Sequence, residues 1–314
     1  MAKEPVNAVK ERADWTKRDW RRYEMKKNKV AYLFVAPYMI LFTVFTVAPV
    51  VLSFLLSFTS FNMLEWPKMV WLDNYLRLFL ADDIFLTSVK NTFLFAVITG
   101  PASYLLCLFF AWFINELTPK IRSFVTLIFY APAIAGNVYL IWGILFSGDS
   151  YGYVNGWLLK MGLISEPILF FQNVNYIFPL IIMVALWTSL GTSFLTFIAG
   201  FQNVDRTYYE AGAVDGVKNR WQELWFVTLP LMKNQMLLSA VLAITGAFGF
   251  GAIIDAMVGF PSPDYCVHTM VHHLNDYGNL RMELGYASAI ATLLFLMMIG
   301  SNFLVRNLLK RVGK

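Results

Sequence analysis

Six long apolar runs, at about 31–58, 91–114, 123–146, 176–200, 236–258 and 285–305, constrain this chain more than any other feature. Each is nearly free of charge and bounded by polar, glycine-rich or basic segments. A bilayer core about 30 Å thick is crossed by roughly 20 apolar residues in a helix. Inside it, backbone polar groups must be satisfied within a helix or a closed barrel. Barrel strands would read as about ten residues of alternating polarity, and these runs do not alternate. Charged residues make up 14% of the 314, against roughly 25% in a soluble domain. The expected fold is all-α, a polytopic membrane protein with six transmembrane helices.

Twenty of the 25 Lys and Arg residues lie in the N-terminal segment, the 115–122 loop, the 201–235 loop and the tail from Arg306. The loops 59–90, 147–175 and 259–284 share the other 5. Basic residues are retained on the cytoplasmic side, so both termini are expected inside, with an even number of spans. The net charge of +5 is thereby assigned to membrane sidedness, and no nucleic acid partner is implied. Residues 1–29 form a basic segment too polar for a secretory signal, which makes span one an uncleaved anchor and 30–314 the membrane domain. Trp15, Trp20 and Tyr23 alternate there with Arg21, Arg22, Lys26 and Lys27. That pattern suits a helix in the lipid headgroup layer, and a plain basic tail fits it equally.

Site chemistry is sparse. Cys107 falls in span two and Cys266 in an external loop, with no CxxC, so nothing redox is expected. His268, His272 and His273 are the three histidines; two at i, i+4 make an incomplete zinc site, so a surface helix and no metal are expected. Asp255 is essentially the one acid within the spans. Ion-coupled carriers keep ionisable groups at mid-membrane, and channels carry filter motifs or charged rings. No GxxxxGK[ST] motif is present, so the chain binds no ATP phosphates by a P-loop of its own. No catalytic residues are assigned. What remains is a membrane subunit driven by a separate motor, with an ATP-independent carrier as the alternative.

The long cytoplasmic loop from Asp205 to Pro230 reads as two short helices with a turn at Gly216, where a positive φ is tolerated. Tyr209, Ala213, Leu224 and Val227 offer apolar contact, small residues cluster at Ala211, Gly212 and Ala213, and Pro230 is expected to end the element. Glu210, Ala211, Asp215, Gly216, Val227, Leu229 and Pro230 resemble, in order, the EAA motif of permease subunits of binding-protein-dependent ABC importers. Two departures stand out: Gly212 replaces the second Ala, and the stretch from Gly216 to Pro230 is one residue longer than usual. An inserted residue turns a helix by about 100°, so a bulge or unwinding is expected between Val217 and Trp221.

Further short matches are similar to the carbohydrate subgroup of these permeases, related to maltose and glycerol-3-phosphate systems, and to the first of the two permeases they pair. They are Ala36-Pro37, Ala48-Pro49, Asn74-Tyr75, Asn91-Thr92, Gly259-Phe260-Pro261 and Gly285 to Ala289. The resemblance implies a type I importer permease fold in a bacterial or archaeal plasma membrane. It also implies a second homologous permease, a cytoplasmic ABC ATPase dimer carrying ATP and Mg, an extracytoplasmic solute-binding protein, and no cofactor on this chain. Glu210, Ala211, Gly212, Asp215, Gly216, Leu229 and Pro230 would form the coupling element. The implied cargo is a carbohydrate, an oligosaccharide by preference, with glycerol phosphate or another polar metabolite as the alternative.

Sugars are recognised by hydrogen bonds and aromatic faces. The candidate path residues are therefore Asn137 and Trp142 in span three, Thr188, Ser189 and Thr192 in span four, and Thr245, Gly246 and Phe248 in span five. Each has a competing reading as a helix-packing residue or one bonded to its own helix. Gly246, Gly249 and Gly251 crowd within one and a half turns, which weakens the helix and predicts a local bend.

Overall fold

The computed structural model describes residues 16–137 and 139–309. Trp15 and the cluster of basic residues after Leu309 lie outside the described residues. Two compact units are formed, one ending at Leu55 and the other beginning at Leu56. In the first, helix α1 (Lys17–Lys27) starts at a capping box in which Thr16 and Asp19 bond reciprocally, and it carries Trp20 edge-on to Tyr23 at 6.3 Å. Helix α2 (Lys29–Leu56) follows, apolar throughout, with Pro37 inside it and a wide π turn at Thr43–Val47.

The second unit is almost entirely helical among the described residues, apart from the two-residue strands β1 (Thr59–Ser60) and β2 (Lys68–Met69). After α3 (Asp73–Leu80), the long helix α4 (Asp83–Asn115) forms the central post. The third apolar run is interrupted: α5 (Pro119–Ile134) ends at Ala135, and α6 (Leu140–Leu145) resumes after Asn137, whose φ is +56°. An external helix α7 (Tyr153–Lys160) leads to the fourth run, α8 (Val174–Thr188) and α9 (Thr192–Gln202), bent by 42° at Ser189–Gly191. The loop between the fourth and fifth runs forms α10 (Arg206–Val214) and α11 (Arg220–Leu231). The fifth run is α12 (Lys233–Ala247) and α13 (Gly251–Met257), broken at 248–250 where the glycines predicted a bend. Helix α14 (Met270–Asn275) precedes α15 (Leu284–Leu309).

All six apolar runs are thus largely helical, and among the described residues α2, α4 and α15 are the unbroken helices long and apolar enough to cross a bilayer. Runs three, four and five are interrupted at polar or small residues, where carbonyls leave the i→i−4 pattern.

Three cores hold the second unit. One joins Cys107, Leu108 and Ala111 of α4 to Phe194, Phe197 and Phe201 of α9 and to Leu224, Leu229 and Met232 of the loop. A second gathers Phe95, Ile177, Ile181, Val184, Ile254 and Val267. The third packs Leu78 and Phe85 against Met270, Tyr286 and Ile290. Where these helices lie in lipid, close van der Waals packing and interhelical hydrogen bonds hold them together, because the surrounding acyl chains are as apolar as the side chains.

Short motifs singled out in the sequence act as ties between these elements. Asn74 Nδ2 donates to the carbonyls of Ser57 and Thr59, both at 2.9 Å, and the Tyr75 hydroxyl meets Ser57 Oγ at 2.7 Å. Asn91 Nδ2 donates to the carbonyls of Tyr265 and His268, while Thr92 Oγ1 accepts from the Met270 N–H at 2.8 Å. The Gly285 N–H donates to Phe61 O, and a Cβ there would collide with the Thr59 carbonyl, so no other residue fits this approach.

Candidate functional site

The loop from Asp205 to Pro230 is built largely as the sequence predicts, as two short helices with a turn between them. Asp205 caps α10 by accepting from the Thr207 N–H at 2.9 Å, which holds its carboxyl below the usual range. The turn comes at Gly216, whose φ is +95°, a conformation costly for any residue with a Cβ. Residues 217–219 are non-helical, within the stretch where unwinding is expected, and a second departure from α geometry that the sequence did not announce follows as a π turn at Leu224–Thr228. A π turn is a one-residue insertion into an α-helix. Across this turn Leu224, Val227 and Leu229 are all buried. Pro230 does not end the element: α11 runs on to Leu231 and then meets α12 at 84°.

Gly212 has a steric explanation. A Cβ at this position would sit 3.1 Å from Val227 Cγ2 and 3.6 Å from Val217 Cγ2. The two short helices touch there, and the glycine lets α10 lie closer to α11 than an alanine comfortably would. Beside this contact the Tyr209 hydroxyl meets Thr228 Oγ1 at 3.0 Å, and burial raises the Tyr209 phenol above its ordinary range. One side of α10 is thus held against the molecule. The other side presents Glu210, Ala211, Ala213, Val214 and Asp215 to solvent, with Val214 89% exposed. Ala213, one of the small residues at 211–213, also faces outward.

Arg220 adds a connection that the sequence did not reveal. Its guanidinium pairs with Glu223 at 2.7 Å and with Glu116, in the first cytoplasmic loop, at 3.3 Å. Trp221 packs over Trp112 at 5.6 Å. Between these elements lies a cavity of about 500 Å³, lined in part by Asn115, Glu116, Arg122, Tyr209 and Arg220.

The path candidates divide into two groups. Thr188 Oγ1 donates to the carbonyls of Val184 and Ala185, Ser189 Oγ to Leu186 O at 2.6 Å, and Thr245 Oγ1 to Val241 O at 2.8 Å, so these hydroxyls spend their protons on their own helices. Phe248 is buried, beside an apolar cavity that also touches Tyr104 and Leu304. Asn137, Thr192, Thr245 and Gly246 are exposed. Asn137 Oδ1 accepts from the Tyr139 hydroxyl at 2.7 Å. Trp142 stands edge-on to Trp187 at 5.4 Å, with its indole Nε1 buried and without a hydrogen bond among the described residues. The candidates thus do not converge on one enclosed pocket within this chain.

The external histidines overturn the expectation of a surface helix. His268, His272 and His273 are each 2% exposed, because α14 is wedged against α4 and α15. His273 Nε2 lies 2.9 Å from Asp82 Oδ2, which also accepts from the Tyr286 hydroxyl at 2.7 Å, and His268 Nε2 is 3.3 Å from His273 Nδ1. His272 Nδ1 accepts from the Thr269 N–H at 3.1 Å, so its proton sits on Nε2, 3.2 Å from Asp255 Oδ1 but out of line for a hydrogen bond. Burial pushes all three imidazoles down, His268 to about 3. Burial by itself would raise the Asp82 carboxyl; donors from the Phe85 N–H, Tyr286 and His273 outweigh it and hold the group below its usual range.

Comparison with known proteins matches this architecture. Residues 108–314 fit the family model of the binding-protein-dependent transport system inner membrane component. The ABC transporter permease protein YesP of Bacillus subtilis (strain 168) is 32% identical over 272 residues, covering 85% of each chain. The arabinooligosaccharides transport system permease protein AraP of the same organism is 28% identical, covering 89% of this chain and 88% of its own. A permease chain in the crystal structure of a bacterial ABC transporter involved in import of the acidic polysaccharide alginate superposes with a TM-score of 0.76 at 21% identity, over 95% of this chain and 100% of that one. The chain is an integral membrane protein with the type I importer permease fold. It belongs to the inner membrane component family of binding-protein-dependent transport systems.

Proposed function

We propose that this chain is one permease of a heterodimeric ATP-driven importer, moving a carbohydrate, an oligosaccharide by preference, from an extracytoplasmic binding protein into the cytoplasm. Six membrane crossings with both termini cytoplasmic, in a bacterial or archaeal inner membrane, fit the distribution of basic residues. ATP and Mg belong to a separate ATPase dimer, and this chain carries no cofactor. A second homologous permease completes the path, toward which Asn137, Thr192, Thr245 and Gly246 are turned. The sugar assignment is supported by the relatives' cargo and by the aromatic and hydroxyl character of spans three to five.

The observation that carries the coupling role is the two-sided construction of α10. Its inner face is fixed through Gly212, Tyr209 and the core that includes Leu224 and Leu229. Its outer face leaves Glu210, Ala211, Val214 and Asp215 free for a cleft on the ATPase. A ligand or partner shifts a conformational equilibrium only through contacts that differ between its states. Closing of the ATP-bound dimer around α10 provides such contacts, and the packed loop passes the displacement to spans two, four and five. The test is stimulated ATPase activity of the reconstituted complex carrying Ala211→Trp or Glu210→Lys. Both variants should insert and bind the partner permease, and both should lose stimulated hydrolysis together with uptake. Normal stimulation in both would remove the loop as the coupling element.

A further inference from the structure

Beyond the mid-membrane path, the external end of the chain holds a second concavity of different chemistry. It measures about 280 Å³ and is lined by Asp255, Phe260, His272, Asn275, Asp276 and Asn279. Pockets that enclose whole drug-sized ligands run from roughly 300 to 1,000 Å³, so this one suits a single sugar ring of a longer chain. Its shape comes from a π turn at Asp276–Leu280, directly after α14. The wider turn brings Asn275, Asp276 and Asn279 to the same cavity.

We infer that this cavity is an entry subsite for one ring of a neutral sugar, and that it disfavours anionic cargo. The inference rests on the importer reading and adds a substrate class to it. Four observations carry it. Asp255 is 43% exposed and meets no Lys or Arg among the described residues; its Oδ1 lies 3.2 Å from His272 Nε2, and its exposed side leaves room to accept from a sugar hydroxyl. Asp276 is neutralised by Arg281 at 2.8 Å, which leaves Asp255 to set the sign of the field. Asn275 and Asn279 supply carboxamides, which both donate and accept as sugar hydroxyls require. Finally, His272 keeps an N–H at the cavity wall, buried and lacking an aligned acceptor, while the Phe260 ring, 41% exposed, offers an apolar face to the ring C–H groups. A phosphate or uronate would meet the like charge of Asp255, which no Lys or Arg among the described residues offsets, an arrangement that favours neutral ligands.

The experiment uses the complete transporter with its partner permease, ATPase and binding protein in proteoliposomes. Uptake is measured for a neutral panel (arabinotriose, lactose, maltotriose, cellotriose) and an acidic one (trimannuronate, trigalacturonate, glycerol 3-phosphate). At least one neutral sugar should be taken up and no acidic compound should match it. Asp255→Asn and Asn279→Leu should each raise KM for that sugar about five- to tenfold, the effect of one lost hydrogen bond, with subunit copurification unchanged. An acidic compound taken up as well as the best neutral one would overturn the inference and leave the importer reading standing. Unchanged KM in both variants would do the same, including the case in which Asp255→Asn abolishes binding of added Ca²⁺. A wild-type complex that hydrolyses ATP but takes up none of these compounds would overturn both.

Discussion

His273 Nε2 and Asp82 Oδ2 are 2.9 Å apart although 191 positions separate them in the chain, and their contact fixes the protonation of a whole buried network. Asp82 accepts, so His273 donates from Nε2 and must accept at Nδ1. His268 therefore donates from Nε2, and its Nδ1 is left buried with neither proton nor partner. Burial lowers the pKa of all three imidazoles and so favours the neutral forms that this donor pattern uses.

The pH dependence follows from that neutrality. Unfolded histidine titrates near pH 6.5, whereas burial holds all three folded imidazoles lower, His268 at about 3. Their contribution to stability is complete above the unfolded value and declines as pH falls below it. Asp82 acts in the same sense at lower pH: its contribution is full above about 3.9 and is lost as pH falls through its depressed folded value. The melting temperature of the purified complex should therefore drop from pH 6.5 toward pH 4.5. His268→Leu should flatten that slope, and a melting temperature constant across this range in the wild type would contradict the account.

The contact at Gly212 is tested by enlarging it. Gly212→Leu should separate α10 from α11 and reduce coupled ATPase activity and uptake at least about tenfold. Gly212→Ala should have a small effect, relieved further by Val227→Ala. Such neighbouring substitutions commonly interact by 0.5–3 kcal/mol, so a strictly additive double-mutant cycle would show that the two helices are not in contact.

The π turn at Leu224–Thr228 predicts an asymmetry between deletions. Removing exposed Phe226 should convert the turn to regular α-helix and leave the flanking contacts, including Tyr209 to Thr228, in register. Removing buried Leu224 should abolish assembly. Melting temperatures and subunit copurification of the two deletions distinguish these outcomes, and equal damage from both would argue against a one-residue bulge.

In the membrane path, Thr192 and Thr245 should respond differently. The Thr245 hydroxyl already donates to Val241 O, whereas Thr192 is exposed and its side chain makes no hydrogen bond among the described residues. Thr192→Val should raise the KM of uptake several-fold, and Thr245→Val should change it less than twofold, within the roughly 0.5–1.5 kcal/mol of a single hydrogen bond. The reverse order would place the binding face on span five.

Sidedness is open to a labelling test. A cysteine at Lys160 in intact cells should react with an impermeant thiol reagent, and one at Lys218 should react only after permeabilisation. The opposite pattern would invert the topology.

Much of this was legible because it is local or periodic. Apolar run length specified the helices, the glycines at 246, 249 and 251 announced the break in span five, and Gly216 announced the loop's turn. Ties across the chain were not legible. Nothing near Asp82 signals that His273 and Tyr286 will reach it, and nothing near Glu116 signals Arg220, because such pairings depend on which helices become neighbours. The histidines were read as surface residues because a two-member i, i+4 pattern does not show that its helix is wedged between two others. The π turn at Leu224–Thr228, which follows the expected unwinding at 217–219, was missed for a related reason. A π turn settles where it lets Leu224, Val227 and Leu229 all stay buried, and that is decided by packing, not by local propensity.

The bend of 84° between α11 and α12 makes the loop a crank. Its corner is seated in the core through Leu229 and Met232, so a push along α11 arrives at span five as a sideways swing of the lower arm and not as a thrust along the helix. The interruption at 248–250 acts as an elbow, letting that arm swing while Gly251–Met257 stays with the external layer. In the proposed coupling, a displacement of the loop would thus be geared down before it reached the far end of span five.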